Sequence, residues 1–123
     1  MSYAATSVNT NAIGILPGPN VTVGTVTLDF PDTGSHQVLV IGHFSVDTEG
    51  AGGGIITAAI FANRQLITNT QINNLEGNTG ALVSISSVVT VGPGPNSFDL
   101  QAGLSNMTSA AVHHRSVTAV GIG

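Results

Sequence analysis

The stretch Ala81–Leu104 reads ALVSISSVVTV, then GPGPN, then SFDLQAGL. Its first part is an apolar run with serine and threonine interleaved. Its last part alternates Phe98, Leu100, Ala102 and Leu104 against Ser97, Asp99, Gln101 and Gly103. A period of two marks a strand with one buried face. The residues between, Gly92–Asn96, hold two glycines and two prolines, which is turn chemistry. The stretch reads as a β-hairpin, and it sets the period by which the rest of the chain is read.

Upstream, Ile55–Ala62 is the apolar run IITAAIFA. Its length and lack of helix caps predict a buried strand, with a helical pairing of its alanines as the competing reading. Asn63-Arg64 is a two-residue turn into Gln65–Thr68. Asn69–Gly80 is polar, with a short strand expected around Thr70–Ile72 and then a loop. Asp47–Gly54, DTEGAGGG, reads as a mobile connector; a phosphate cradle there would need a G-x-x-x-x-G-K-[ST] pattern, which is absent. In His36–Val46 the apolar residues Val38, Val40, Phe44 and Val46 take one face, while Leu39 and Ile41 share the other with Gln37 and His43. Apolar residues on both faces predict a central strand, or one that faces a core and a neighbouring subunit.

Further out, Val21–Phe30 alternates around Val26, Leu28 and Phe30 and is bounded by the turns Pro17–Asn20 and Pro31–Ser35. The tetrapeptide PGPN occurs at Pro17–Asn20 and again at Pro93–Asn96, which reads as one turn solution used twice. Ala12–Leu16 is a short apolar run. Residues 1–11 are small and polar and read as a flexible N-terminal arm, with 12–123 as the single domain. Downstream, Ser105–Ala110 is a loop and Val112–Ile122 the last strand. The pattern predicts an all-β chain of about eight to ten short strands in two antiparallel sheets, a jelly-roll sandwich.

Composition narrows the function. Charged residues make up 7% of 123 residues and the formal net charge is −4; an ordinary domain has about 25% charged residues. Arg64 and Arg115 are the only permanent cations, too few to track a phosphate backbone, so nucleic-acid binding is not expected. No run is long and apolar enough for membrane insertion as a helix. The N-terminus lacks the basic and apolar regions of a classical signal peptide, so assembly from the cytoplasm is expected. Low charge weakens protection against self-association.

Four segments carry a family resemblance. HQVLVIGHFSV, IITAAIFANRQLI, GALVSISSVVTVGPGPNSFDLQAGL and SVTAVGIG follow one another with the spacing of the later strands of the tumour-necrosis-factor-like jelly roll, shared by complement-type globular heads. The resemblance covers Val21–Gly123. It is similar in kind to bacterial spore-surface and phage structural proteins, and it implies a homotrimer about a threefold axis. The closing strand resembles the one nearest that axis. This implies a subunit interface drawn from His113, Arg115, Val117, Leu39 and Ile41, with Arg115 in a cross-subunit ion pair to an Asp or Glu.

The chemistry-bearing residues point away from catalysis. His113 and His114 are adjacent, and on a regular strand neighbours face opposite ways, so they cannot share one ion. The carboxylates are scattered, and no G-x-S-x-G elbow appears. No catalytic, cofactor or metal residue is assigned. For a ligand, the candidate loops are Asp47–Gly54 and Asn69–Gly80, with Asp47, Glu49, Asn73 and Asn74 as the polar groups; sugar platforms usually stack on Trp or Tyr, and the sole Tyr here is Tyr3. The expected function is a non-enzymatic, homotrimeric building block or decoration of a spore, virion or cell-surface layer. Its partners would be itself and other coat or capsid proteins. The alternative is a receptor- or glycan-binding module.

Overall fold

The computed structural model describes residues 3–123. Nine strands run through them: β1 (Ala4–Asn9), β2 (Ile13–Ile15), β3 (Val21–Phe30), β4 (His36–Glu49), β5 (Gly54–Ala62), β6 (Gln65–Leu75), β7 (Gly80–Val91), β8 (Gly94–Ser105) and β9 (Ser109–Gly121). They form two antiparallel sheets. One has the order β1–β9–β4–β7, with β2 also paired to β9; the other has the order β3–β8–β5–β6. No helix among the described residues is long and apolar enough to cross a membrane.

The period-two pattern decides which side chains meet between the sheets. Val38, Val40, Phe44 and Val46 of β4 and Val112, Val117 and Ala119 of β9 face inward from one sheet. Phe30, Ile56, Ile60, Phe98 and Leu100 face them from the other. Each large apolar side chain taken fully out of water stabilises the sandwich by roughly 1.5–3 kcal/mol. Gly42 has its inward position filled by Leu100 of the opposite sheet, whose Cδ1 would lie 2.7 Å from an added Cβ. The run Ile55–Ala62 is a strand, not a helix: Ile56, Ala58, Ile60 and Ala62 all point inward between β8 and β6.

Two expectations about connectivity are corrected. Ala81–Leu104 is not a hairpin, because β7 pairs with β4 whereas β8 pairs with β3 and β5. The turn between them carries the chain across the sandwich, and Asn96 holds it by donating from Nδ2 to the carbonyls of Gly92 and Gly94, both at 3.0 Å. Alternation reports which face is buried, not which strand lies alongside. The other PGPN makes the same crossing, from β2 in the first sheet to β3 in the second. The true hairpin is β5–β6, where Asn63 (φ 49°) and Arg64 (φ 69°) both take the left-handed conformation of a two-residue turn.

The N-terminal segment is the second correction. Ala4–Asn9 is a strand in register with β9, from Ala4↔Val120 to Asn9↔Arg115. The Thr6 and Thr118 hydroxyls lie 3.0 Å apart across that pair. Small polar residues look like a loose tail in isolation; here their backbone groups are satisfied by the open side of β9, which composition cannot reveal.

Candidate functional site

The outer face of the five-stranded sheet is the candidate site. Register places Leu39 of β4 beside Val88 of β7 and Val120 of β9, with Ala4 of β1 beyond. The next row is Ser86, Ile41, Thr118 and Thr6, and the one after is Ser84, His43, Ser116 and Val8. Ser45 follows, between Leu82 and His113. Leu82 is 81% exposed, Val8 66%, Val88 50% and Ile41 40%. Across these four rows the face holds no Lys, Arg, Asp or Glu. Carboxylates appear only at its end, Asp47 and Glu49 on β4.

A bulge in β9 shapes this face. His43 pairs with Ser116 and Ser45 with His113, so Phe44 alone stands opposite both His114 and Arg115. His114 is the extra residue, with φ 50°. One extra residue reverses the phase of everything after it: Ala110 and Val112 face inward before the bulge, Arg115, Val117 and Ala119 after it. This corrects the expected interface. His113, Leu39 and Ile41 lie on the outer face, whereas Arg115 and Val117 are turned into the sandwich. Arg115 is 8% exposed; its Nε donates to the Asn11 carbonyl at 3.2 Å and its Nη1 to the Val23 carbonyl at 2.9 Å. Its partners within the chain are therefore main-chain carbonyls.

The bulge also removes the alternation argument about the two adjacent histidines. Their rings sit edge to face with centroids 4.8 Å apart. His113 Nε2 lies 2.8 Å from Asp47 Oδ2. Ser45, Asp47, Gly80, Ala81, Leu82 and His113 line a shallow cleft of about 300 Å³ there. Among the described residues no three His, Asp or Glu side chains are grouped so as to hold a metal ion.

The candidate ligand loops do come together, but as packed strand ends. Asp47 and Glu49 belong to β4, and Asn73 and Asn74 to β6, leaving residues 50–53 and 76–79 as the connecting segments. Thr48 joins them: its buried hydroxyl donates to the Glu76 carbonyl at 2.8 Å, and its amide to the Thr79 carbonyl at 2.8 Å. The Gly53 amide donates to the Leu75 carbonyl at 2.9 Å. An added Cβ on Gly77 would collide with the Gly50 carbonyl. Within DTEGAGGG, Gly50 and Gly53 take positive φ (107° and 93°), and the side chains of Thr108 and Met107 fill the Cβ positions of Gly50 and Gly54. Thr48 was missed by sequence reasoning, since an isolated threonine carries no signal of what it will meet.

A larger cavity, about 450 Å³, opens at the other end, beside Tyr3, Phe30, Asp32, His36 and Gly121–Gly123. The His36 ring stacks on Phe30 with centroids 4.1 Å apart, and Tyr3 meets Phe30 edge-on. His36 Nε2 lies 3.0 Å from Asp32 Oδ1 but without hydrogen-bond alignment, so that buried nitrogen has an ionic neighbour and no directed partner.

No protein-family model matches this sequence, and no curated protein sequence does. Solved structures do match in shape. The Eiger TNF of S. frugiperda aligns with a TM-score of 0.54 at 8% identity, over 100% of this chain and 92% of that one. VP2 of infectious bursal disease virus, solved as a subviral particle, aligns at 0.57 and 14% identity, over 99% of this chain and 32% of that one. The C-terminal domain of EclA, described as a sugar-binding protein, aligns at 0.51 and 12% identity, over 90% and 79%. Some similar chains are far longer: this chain spans only 20% of the insecticidal delta-endotoxin Cry8Ea1 of Bacillus thuringiensis. With two facing antiparallel sheets in this strand order and these neighbours, the chain has a jelly-roll, TNF-like globular fold.

Proposed function

We propose that this protein is a non-enzymatic structural subunit that self-associates as a homotrimer through the outer face of its five-stranded sheet. Its role is as a building block or decoration of a spore, virion or cell-surface layer. The carrying observation is the exposure of Val8, Ile41, Leu82 and Val88 on one face with no permanent charge among them. Large apolar side chains this exposed, set among serines and threonines on a face without permanent charge, suit an association site. The threefold arrangement is what the family resemblance implies, and the fold of a TNF and of a subviral-particle protein supports self-association.

The test is solution mass by light scattering at micromolar concentration. The expected result is three times the 12.3 kDa of the chain. Ile41→Lys, which sets a charge mid-face, is expected to shift the mass toward one chain while the fold melts as before. A wild-type monomer would overturn the reading. The receptor- or glycan-binding alternative has one observation in its favour, the meeting of segments 50–53 and 76–79 near Asp47 and Glu49. Sugar binding abolished by an Asn73→Ala/Asn74→Ala change, with the oligomer intact, would put that reading first.

A further inference from the structure

A sheet that does not close leaves unpaired backbone donors and acceptors along its two outermost strands, and proteins blunt such edges with breaks, bulges, prolines or charges. Three of the four edges here are blunted. The β1/β2 edge is broken into six and three residues. The β3 edge has a bulge between Thr22 and Gly24 and carries Asp29. The β6 edge slips register against β5 in two places and holds Asn74 in the left-handed conformation, φ 55°. The fourth edge, β7, has none of these devices. Its register with β4 runs unbroken from His36↔Val91 to Asp47↔Gly80, and its twelve residues, GALVSISSVVTV, include no charge and no proline.

The edge is also self-complementary. Leu82 and Val88 are equidistant from Ile85, and so are Ser84 and Ser86. All four point outward, the two apolar ones strongly exposed. From this we infer that β7 is a second self-association site, where β7 of another copy adds antiparallel about a two-fold axis at Ile85. Leu82 then stands opposite Val88 of the second copy, and Ser84 opposite Ser86. A register centred one residue on would set Leu82 against Thr90 and Ser84 against Val88, mixing apolar with polar; half-steps would bring inward residues against outward ones. Matched cross-strand pairs are what stabilise such a junction. The contact extends the sheet sideways and does not rest on the threefold reading. Where both contacts form, trimers are joined to one another, which a closed threefold ring alone cannot do.

The chain has no cysteine, so register can be tested by disulfide trapping. One batch carries Ser84→Cys, another Ser86→Cys. Only the mixture brings the two sulfurs opposite each other, and the linked dimer is expected to exceed that of either batch alone by at least about tenfold, because mismatched pairs lie too far apart to bridge. Equal linkage in the separate batches, or none in the mixture, overturns the inference. A second measurement uses charge. Ser84→Lys/Ser86→Lys and Ser84→Glu/Ser86→Glu, whose charges also fall on the outer face, are each expected to give monomers at unchanged melting temperature, and mixing them to restore edge-paired dimers. Constant mass throughout overturns it. The species present separates the two readings: monomer and dimer mean the edge without the face, trimer and hexamer mean both. A β7 edge that captures only unrelated extended peptides and never a second copy also overturns it.

Discussion

The two sheets share one core yet turn different outer faces to their surroundings. On the four-stranded sheet, register sets Thr25 beside Asp99, and Gln101 with Ala59 and Asn69, while Thr57 pairs with Gln71. Thr25 Oγ1 donates to Asp99 Oδ1 at 2.8 Å, and the same row runs on through Phe61 to Leu66, 52% exposed, so this face carries a carboxylate beside its apolar residues. On the five-stranded sheet the corresponding positions hold Val8, Leu39, Ile41, Leu82, Val88 and Val120 among serines and threonines. Both faces are read from the same alternation. The difference teaches that a period-two strand can carry two messages: the inward set builds the fold, and on the proposed reading the outward set makes the sheet a solvent wall or a joint.

The sharpest way to break that contrast is to upset the phase that the bulge in β9 sets. Insertion of one alanine after His114 adds a second unpaired residue and would turn either Arg115, Val117 and Ala119 or Ala110 and Val112 outward. The expected loss is above about 4 kcal/mol, enough to abolish a cooperative melt by circular dichroism. His114→Gly, which keeps the extra residue and suits its positive φ, is expected to stay within about 1 kcal/mol of wild type.

Charge on the faces comes next. Ile41→Lys is expected to weaken association about 100-fold, equivalent to about 2.7 kcal/mol, in sedimentation equilibrium. Gln101→Lys, the same charge on the opposite sheet, is expected to change it less than about twofold. Equal effects would erase the distinction between joint and wall.

Arg115→Ala sharpens the comparison from inside. It strips the Asn11 and Val23 carbonyls of a charged donor, so a stability loss of about 2 kcal/mol is expected in urea titration. The oligomer mass should hold, because the residue does not reach the outer face. A change in mass at unchanged stability would return Arg115 to the interface. The smallest effect is expected from Thr25→Ala, about 0.5 kcal/mol or less, since its bond to Asp99 is exposed.

Much of this was legible in particular residues. Val38, Val40, Phe44 and Val46 announced an inward face, and Leu39 and Ile41 an unusual outward one. The bulge also left a trace: the apolar positions Ala110 and Val112 are even, Val117 and Ala119 odd, so an extra residue had to lie between them. Read without that shift, His113, Arg115 and Val117 fall on one face; the expectation of Arg115 at a subunit contact came from the resemblance of the closing strand to the one nearest a threefold axis. Thr48 and the approach of Gly50 to Gly77 left no trace at all, because their partners lie in segments remote along the chain.

The sequence by itself determined most of the strands and turns and, before the bulge at His114, the side their residues show, because side-chain alternation and turn chemistry are local. Tertiary structure alone decided the neighbours. Whether PGPN folds a strand back on itself or sends it across the sandwich, whether Ala4–Asn9 is a tail or a strand, and where Arg115 finds acceptors all depend on backbone groups that must be satisfied by some partner distant in sequence. Hydrogen bonds between strands are made by the main chain, which is nearly the same at every residue, so the side chains that a sequence spells out cannot name the strand across the gap.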